Sequence, residues 1–273
     1  MKTLALQRRA ASFSWAPEIY HRCLGPALFE PYAADLARRL VRRAGDAVLE
    51  TACGTGILTR QLRSTLAPAV RLVATDIDQP MIDHARTRLR DLAQITWELA
   101  DCVAVPFPSA SFTSLACQFG VMYVTNKPAM LREARRVLAD GGRLVFNVWD
   151  GLAHNPYARV AQETIARLLP TDPPSFFEVA YGFHDAEAWR SLLRAHDFQV
   201  QDLEWVTLQA HSPTAARLAR GLVRGTPVSN AIEERGGELE IIVKAVAEAL
   251  ARLGGEAPFR STMRALVVTA NAR

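Results

Sequence analysis

The chain has 273 residues, a hydrophobic content of 49% and a formal net charge of +4 at pH 7. A chain of this length can bury a sizeable core, as one large domain or as a domain with a cap. No apolar run reaches the roughly 18 residues of a membrane-spanning helix, and residues 1–9 lead into no long apolar signal region. The sequence therefore predicts a cytoplasmic protein without a membrane span.

The positions of the arginines and cysteines disfavour a nucleic-acid site, a disulfide framework and a metal site. Arg38-Arg39 and Arg42-Arg43 fall on one early helix, where a solvated helix face is a better explanation than a nucleic-acid patch. The sequence thus disfavours a nucleic-acid partner. The four cysteines have no CxxC spacing, which predicts reduced thiols, no disulfide framework and no metal site. They are Cys23, Cys53, Cys102 and Cys117.

The first half of the chain alternates predicted strands and helices. Residues 11–32 are rich in aromatic residues and proline, and Pro31 suits the first turn of a helix through about Arg43. Five strand and helix alternations follow, which favours a doubly wound parallel sheet with right-handed crossovers. The predicted strands are residues 48–50, 70–76, 95–99, 112–119 and 143–149, with helices over 57–66, from 80 onward and over 127–138, and a sharp turn at 140–142.

The second half departs from this alternation. We interpret its extra helices as a cap on a single domain, because no repeat or low-complexity linker separates them. The predicted elements are helices over 156–169, 185–196, 213–223 and 229–253, an aromatic segment at 176–183, and strands over 198–208 and 263–270. The domain is thus divided into an N-terminal lid and helix (1–44), a cofactor-binding core (45–150), helical caps (151–197 and 209–260) and last strands (198–208 and 263–271).

The stretch from Val48 to Thr59 predicts a strand, a tight loop with two glycines and the start of a helix. Glycine lets the backbone approach a ligand closely, and the helix that follows presents free N–H groups. The loop therefore indicates a nucleotide-type site at the end of the first strand, although any tight connection can use glycine. The dinucleotide fingerprint requires a third glycine, and Thr59 stands in its place.

Two acids end the next two predicted strands. Asp76 lies about twenty residues beyond the glycines, where a carboxylate can accept both hydroxyls of an adenosine ribose. Asp101 ends the third strand, where an acid can accept from the amine of a base while the backbone N–H of Cys102 donates to its ring. Either acid alone fits a loop or a helix cap. Together, beside a glycine loop, they indicate an adenosine moiety better than a diphosphate.

An ordered set of motifs extends this pattern over residues 45–150. They are Glu50-Thr51-Ala52-Cys53-Gly54-Thr55-Gly56, Asp76-Ile77-Asp78 with Met81, Asp101-Cys102 before Pro106-Phe107, Gln118-Phe119-Gly120, and Arg136-Val137-Leu138 before Gly141-Gly142. In this order they resemble the class I S-adenosylmethionine-dependent methyltransferases. More narrowly, the chain resembles the small-molecule branch related to the ubiquinone/menaquinone methyltransferases.

The resemblance implies a site for S-adenosylmethionine, with S-adenosylhomocysteine as product. The implied contacts are Glu50 supporting the loop, Ala52, Cys53, Gly54 and Gly56 at the methionine part, Asp76 on the ribose, Ile77 and Met81 around adenine, Asp101 and Cys102 at its edge, and Gln118 beside the sulfonium. The family more often has Asp at position 50, Gly at position 51 or 52, and Asp at position 113, where this chain has Thr113.

The resemblance also implies a Rossmann-like sheet of seven strands, whose last strand is antiparallel and lies between the fifth and the sixth. The helical caps and the N-terminal aromatics would cover a small-molecule acceptor, and the sequence leaves a homodimer open. A catalytic base is needed only if the acceptor must lose a proton. The candidates for such a base are Tyr20, His21, His154, Glu178, His184 and His211, and Tyr20, His21 and His154 are kept as weak candidates.

Several of these side chains have plain structural explanations. Asp185 fits a helix N-cap, which makes its neighbour His184 structural. Asn155-Pro156-Tyr157 resembles a motif of nucleic-acid amino methyltransferases, but it follows the fifth strand instead of the fourth, so we interpret the match as accidental. Aromatic rings could face the sulfonium through cation–π contact or pack in a core; they are Trp15, Tyr20 and Tyr123.

The sequence therefore favours methyl transfer to a small, partly apolar molecule at O, N or C. A methyltransferase acting on RNA or protein is the alternative. A nicotinamide-binding oxidoreductase is disfavoured because the third glycine is missing. No feature of the sequence excludes a binding protein without catalysis.

Overall fold

The computed structural model describes residues 16–40 and 46–273. Packing divides the chain into two compact units. The sheet unit comprises Tyr32–Trp149, Phe183–Val206 and Ala265–Arg273, and the helical unit comprises Asp150–Gly182, Thr207–Arg264 and the described residues up to Pro31. In the described ranges, no helix is both long and apolar enough to cross a lipid bilayer.

Seven strands form one sheet in the order β3-β2-β1-β4-β5-β7-β6. Neighbours among the first five strands are parallel, and β7 is antiparallel to β5. The predicted seven-stranded sheet, with its last strand between the fifth and the sixth, is confirmed. The strands are β1 (Ala47–Glu50), β2 (Arg71–Asp76), β3 (Ile95–Leu99), β4 (Phe112–Gln118), β5 (Leu138–Trp149), β6 (Phe198–Ser212) and β7 (Phe259–Ala272).

The helices in chain order are α1 (Pro17–Ile19), the π-helix α2 (Tyr20–Phe29), α3 (Glu30–Arg39), α4 (Ile57–Thr65), α5 (Gln79–Arg88), α6 (Lys127–Val137), α7 (Pro156–Leu168), α8 (Phe176–Gly182), α9 (Ala186–Arg194), α10 (Ala215–Arg224), α11 (Val228–Glu234) and α12 (Leu239–Gly254). In the sheet unit, α3 and α4 bury Leu36 and Leu62 with Val48 of β1 and Val145 of β5. Burial of these apolar side chains is the main favourable term in folding.

The helix predicted to start at Pro31 starts earlier. A continuous helical run begins at Pro17, and its middle segment, α2, is a π-helix in which the N–H of Glu30 donates to the carbonyl of Gly25, five residues back. Pro26 lies inside this segment. Proline is expected at the first turn of a helix, but here the wider π-helical turns continue through Pro26, and Pro31 lies inside the helical run.

Two further predictions of local structure were wrong. The turn at 140–142 is a bulge within β5: the five steps from Leu138 to Arg143 lie opposite the two steps from Phe112 to Ser114. The helix predicted over 229–253 is two helices, α11 and α12. They are separated at Gly236, whose φ of +72° suits glycine and ends α11.

Within the helical unit, α10 packs on the π-helix α2 and on α12, and α12 packs on α7. Small residues allow close approach at the first of these crossings. A Cβ built at Gly221 of α10 would lie 2.5 Å from Leu24 Cδ2 and 2.7 Å from Cys23 Cβ. The α2–α10 pair is therefore closely packed.

Candidate active site

The glycine loop connects β1 to α4. Ala52, Gly54 and Gly56 have left-handed φ values of +52°, +54° and +79°. A Cβ built at Gly54 would meet no atom within 4 Å, so the loop borders open space there. A Cβ at Gly56 would lie 2.9 Å from Leu89 Cδ1, so packing accounts for this second glycine. The contact predicted between Gly56 and the methionine part stays a prediction.

Asp76, the last residue of β2, joins the loop to the next helix. Its Oδ2 accepts the N–H of Gly54 at 2.7 Å and its Oδ1 accepts the N–H of Asp78 at 2.9 Å. Burial raises the pKa of Asp76 to about 6, although these two hydrogen bonds oppose the shift. Each carboxylate oxygen has a second lone pair, so both can still accept from a ligand hydroxyl.

Glu50, the last residue of β1, is a buried acid whose hydrogen-bonding capacity is unused. Its side chain is 1% exposed, and neither carboxylate oxygen has a hydrogen-bond partner among the described residues. Burial, and to a lesser extent the negative charge of Asp76, raises the pKa of Glu50 to about 8. Thr59 partly opposes the shift, but its hydroxyl makes no hydrogen bond of normal geometry. An unpartnered buried carboxyl is costly unless a ligand satisfies it.

Apolar side chains lie beside Asp76 at the ends of β2 and β3. Ile77 is 52% exposed and Leu99 is 51% exposed, and Leu99 is in register with Asp76. Met81 of α5 is buried. Exposed apolar side chains at the edge of a sheet provide a surface for a flat apolar ring.

Asp101 follows β3 at the same edge of the sheet. Its Oδ1 accepts the N–H of Val103 at 3.1 Å, and its carbonyl accepts the N–H of Ala104 at 2.9 Å. Cys102, half-buried, is held in this turn, and burial raises the pKa of its thiol. The carboxyl ends of β1, β2 and β3 thus bring the predicted acids Glu50, Asp76 and Asp101 to one edge of the sheet.

The end of β4 contains a backbone feature that sequence reasoning missed. Phe119 follows Gln118 with a φ of +51°, uncommon for a bulky residue. Its N–H donates to Oδ1 of the fully buried Asn147 at 2.9 Å. Its ring stacks on Trp149 at 3.8 Å between centroids, and Tyr32 contacts both rings edge-on. The motif Gln118-Phe119-Gly120 marked the position, but no sequence signal indicates the stack or the left-handed backbone.

Gly120 then lies directly against the glycine loop. A Cβ built at this position would be 2.4 Å from the Cβ of Ala52 and 2.8 Å from the Sγ of Cys117. Ala52 stands where the related family more often has glycine. In this chain the glycine of the contact is Gly120, which follows β4. The loop and the end of β4 are therefore in direct contact.

The candidates for a base lie in the helical unit. Tyr20 stacks on Phe29 with ring centroids 4.9 Å apart. His21 is half-buried, and His154 is half-exposed, with its Nε2 3.8 Å from Asp150 Oδ2. Their assignment as bases stays a prediction, and Trp15 lies outside the described residues. Within those residues, no group of three or more His, Cys, Asp or Glu side chains is placed to hold a metal ion.

Two structural interpretations of polar residues are supported. Asp185 is the N-cap of α9, accepting the N–H groups of Glu187 and Ala188, which confirms its predicted role. The side chain of Asn155 is buried and bonds the backbone of Asp150 and of Arg264. This residue thus ties two segments of the helical unit together.

A protein-family model described as a methyltransferase domain matches residues 48–142. Residues 48–142 are a methyltransferase domain. A ubiquinone/menaquinone biosynthesis C-methyltransferase of Hahella chejuensis is 32% identical over 164 residues, which are 55% of this chain and 66% of that protein. The alignment thus spans slightly less than two thirds of the relative. The predicted resemblance to class I S-adenosylmethionine-dependent methyltransferases is confirmed.

Solved structures extend the likeness of the methyltransferase domain to the fold of most of the chain. The YcgJ protein of Bacillus subtilis is 16% identical with a TM-score of 0.59, covering 89% of this chain and 99% of its own. A SAM-dependent methyltransferase of Aquifex aeolicus is 12% identical with a TM-score of 0.58, covering 95% and 100%. At this identity the likeness shows the Rossmann-like fold alone.

Proposed function

We propose that the protein binds S-adenosylmethionine at the edge formed by β1, β2 and β3 and transfers its methyl group to a small, partly apolar molecule at O, N or C. The observation that carries this proposal is the buried carboxyl of Glu50, which lacks a partner while Gly54 borders open space. A cationic group of a ligand would satisfy that carboxyl.

The residues at this edge fit the parts of the cofactor. Glu50, predicted to support the loop, would also pair with its ammonium group, Ala52, Cys53, Gly54 and Gly56 would surround the methionine part, and Asp76 would accept the ribose hydroxyls. Exposed Ile77 and Leu99, with Met81, provide the apolar surface for adenine. Asp101 and Cys102 read the edge of adenine, and Gln118 borders the sulfonium. The bound cofactor supplies an activated methyl group and leaves as S-adenosylhomocysteine.

The protein's contribution to the rate is then alignment and exclusion of water. Holding donor and acceptor in line can contribute about 7–11 kcal/mol in favourable intramolecular models. A methyl donor that is already activated requires a base only for acceptors that lose a proton. No residue is assigned as a base on this ground, and Tyr20, His21 and His154 remain candidates.

One finding supports a small acceptor over RNA or protein: the Hahella relative is a C-methyltransferase of ubiquinone/menaquinone biosynthesis. The residues matched by the family model include every predicted cofactor contact, which supports the cofactor site. Cytoplasmic residence and a homodimer stay predictions. Incubating cell extracts with the enzyme and a labelled donor, followed by mass spectrometry, would identify the acceptor by the gain of one methyl group.

The test of the cofactor site is Asp76→Ala, measured by calorimetric titration with S-adenosylhomocysteine. Removing two charge-assisted acceptors should weaken binding at least tenfold, since each such bond contributes about 1.5–3 kcal/mol. Asp83→Ala is the matched control, because Asp83 is an exposed acid on α5. Its carboxylate accepts from the side chain of Gln79, and its backbone carbonyl accepts from the hydroxyl of Thr87. Equal binding by wild type and Asp76→Ala would refute the assignment.

A further inference from the structure

A cavity lies wholly within the helical unit, between the start of the helical run and α10. Its volume is about 460 Å³. The residues that line it are Glu18, Ile19, Arg22, Cys23, Arg217 and Arg220. Three guanidinium groups and one carboxylate give this small surface a net formal charge of +2 (three positive minus one negative). None of these residues belongs to the proposed methyl-transfer site.

Two of the three arginines are held in place. Nη2 of Arg217 donates to the carbonyl of Arg22 at 2.7 Å, and Nε of Arg22 pairs with Glu18 at 3.1 Å. Arg220 is exposed, one turn further along α10, and has no hydrogen-bond or ionic partner among the described residues. The cavity therefore combines two anchored guanidinium groups with one whose donors are unused.

The three arginines line the same cavity as Cys23. Burial raises the pKa of the Cys23 thiol, and the charges of Arg217, Arg220 and Arg22, in that order, oppose the rise. All three guanidinium groups thus act on the same buried atom. Mutual repulsion among such groups is relieved when an anion binds between them.

The walls of the cavity are two closely packed helices. One wall belongs to α2, which is a π-helix. This form is rare in proteins, and where it occurs it is often at a functional site. The other wall, α10, contacts α2 through Gly221 and Gly225; a Cβ on Gly225 would lie 2.9 Å from the backbone nitrogen of Tyr20. A pre-organised site loses little free energy in ordering its side chains on binding.

We propose that this cavity binds a multiply charged anion of the phosphate or diphosphate class. Guanidinium groups bind phosphate oxygens in a bidentate manner, and three of them match the several oxygens of such an anion. Ile19 and Cys23 form an apolar floor that an alkyl group next to the phosphate would contact. The anion has two sources, a free inorganic phosphate compound or the head group of a phosphate ester with an apolar tail.

The test is calorimetric titration of the whole chain at about 0.1 M salt, where surface charges are screened beyond roughly 10 Å. The probes are inorganic pyrophosphate and octyl phosphate. Arg220→Gln should weaken both at least tenfold, corresponding to about 1.4 kcal/mol. Arg220→Lys, which keeps the charge but not the planar fork, should give an intermediate loss. Arg252→Gln, an exposed change on α12 of the same unit, should leave both affinities unchanged.

The relative affinities identify the source. Tighter binding of octyl phosphate than of pyrophosphate assigns the site to a phosphate ester, and the reverse order assigns it to a free anion. The proposal is overturned if neither probe binds at millimolar concentration, or if Arg220→Gln and Arg252→Gln weaken binding equally. Unchanged binding of S-adenosylhomocysteine by Arg220→Gln shows that the variant is folded.

Discussion

At the scale of single residues, the site depends on where its carboxyl groups are buried. The acids at the ends of β1, β2 and β3 were predictable, because an acid after an apolar run is visible in the sequence and parallel strands end at one edge. Their ionisation was not predictable. Glu50 is 1% exposed and Asp76 is 8% exposed because of residues distant in sequence, and burial raises both pKa values.

These pKa values predict a loss of stability as pH rises. Glu50 has a pKa of about 8 in the folded protein against an ordinary value of 4.5, so the folded state retains a proton that the unfolded state releases. Between these values the unfolded state binds fewer protons, and the free energy of unfolding falls with pH. Asp76 adds the same effect between its ordinary value of 3.8 and about 6.

Glu50→Gln should remove most of this dependence above pH 6. At pH 8 the variant should be more stable than wild type by on the order of 1–3 kcal/mol, the cost of a buried group without a partner, while at pH 5 the two should be similar. Thermal unfolding across pH 5–8 without cofactor measures this. Glu178→Gln, an exposed change in the helical unit, is the control. An identical slope in Glu50→Gln and wild type would contradict the pKa assigned to Glu50.

At the scale of elements, the alternation of β1 to β5 with helices was predictable, since apolar runs, glycines and prolines mark their ends. The departures have local causes that sequence does not display. The π-helix α2 passes through Pro26, and the bulge in β5 absorbs Gly141. The left-handed Phe119 is stabilised by stacking on Trp149, a contact between two strands.

The contact between the glycine loop and the end of β4 yields a coupled prediction. Gly120→Ala places a Cβ only 2.4 Å from the Cβ of Ala52, so it should displace the loop. We expect a loss of about 1–3 kcal/mol in stability, as for other overpacked sites, and weaker binding of S-adenosylhomocysteine.

Ala52→Gly in the same chain should recover part of both losses, because it removes the nearer of the two clashing atoms, leaves the Sγ of Cys117 at 2.8 Å, and suits the φ of +52° at this position. A double-mutant cycle by chemical denaturation and calorimetry measures the coupling. Gly182→Ala is the control, since a Cβ there meets nothing within 4 Å. Additive effects of Gly120→Ala and Ala52→Gly would contradict the prediction, because they would show that the contact between these two positions does not hold the loop in place.

At the scale of the whole molecule, the order of the seven strands was predictable only through the family resemblance. Spacing alone indicates parallel strands, but it does not place β7 between β5 and β6. The acceptor was not predictable at all. The motifs lie within residues 48–142, whereas the weak base candidates lie in the helical unit, where no motif constrains them.

Because of the division into two units, tryptophan fluorescence reports on the unfolding of the unit that contains the proposed cofactor site. Every tryptophan among the described residues lies in the sheet unit: Trp97, Trp149, Trp189 and Trp205. A ligand that binds only the folded state stabilises it by about 2.7 kcal/mol at 100 times its Kd. For a chain of this size that corresponds to a rise of roughly 5–10 °C in the unfolding midpoint. S-adenosylhomocysteine should therefore raise the midpoint measured by tryptophan fluorescence.

NAD at the same concentration should leave that midpoint unchanged, because Thr59 replaces the third glycine that a dinucleotide site requires. Asp76→Ala should reduce the shift caused by S-adenosylhomocysteine by about half or more, since a tenfold loss of affinity lowers the stabilisation from about 2.7 to about 1.4 kcal/mol at the same concentration. A shift with NAD but none with S-adenosylhomocysteine would reverse the proposed cofactor. A shift of undiminished size in Asp76→Ala would instead keep the cofactor and place its ribose away from β2, because a lost contact to the bound ligand must lower the stabilisation.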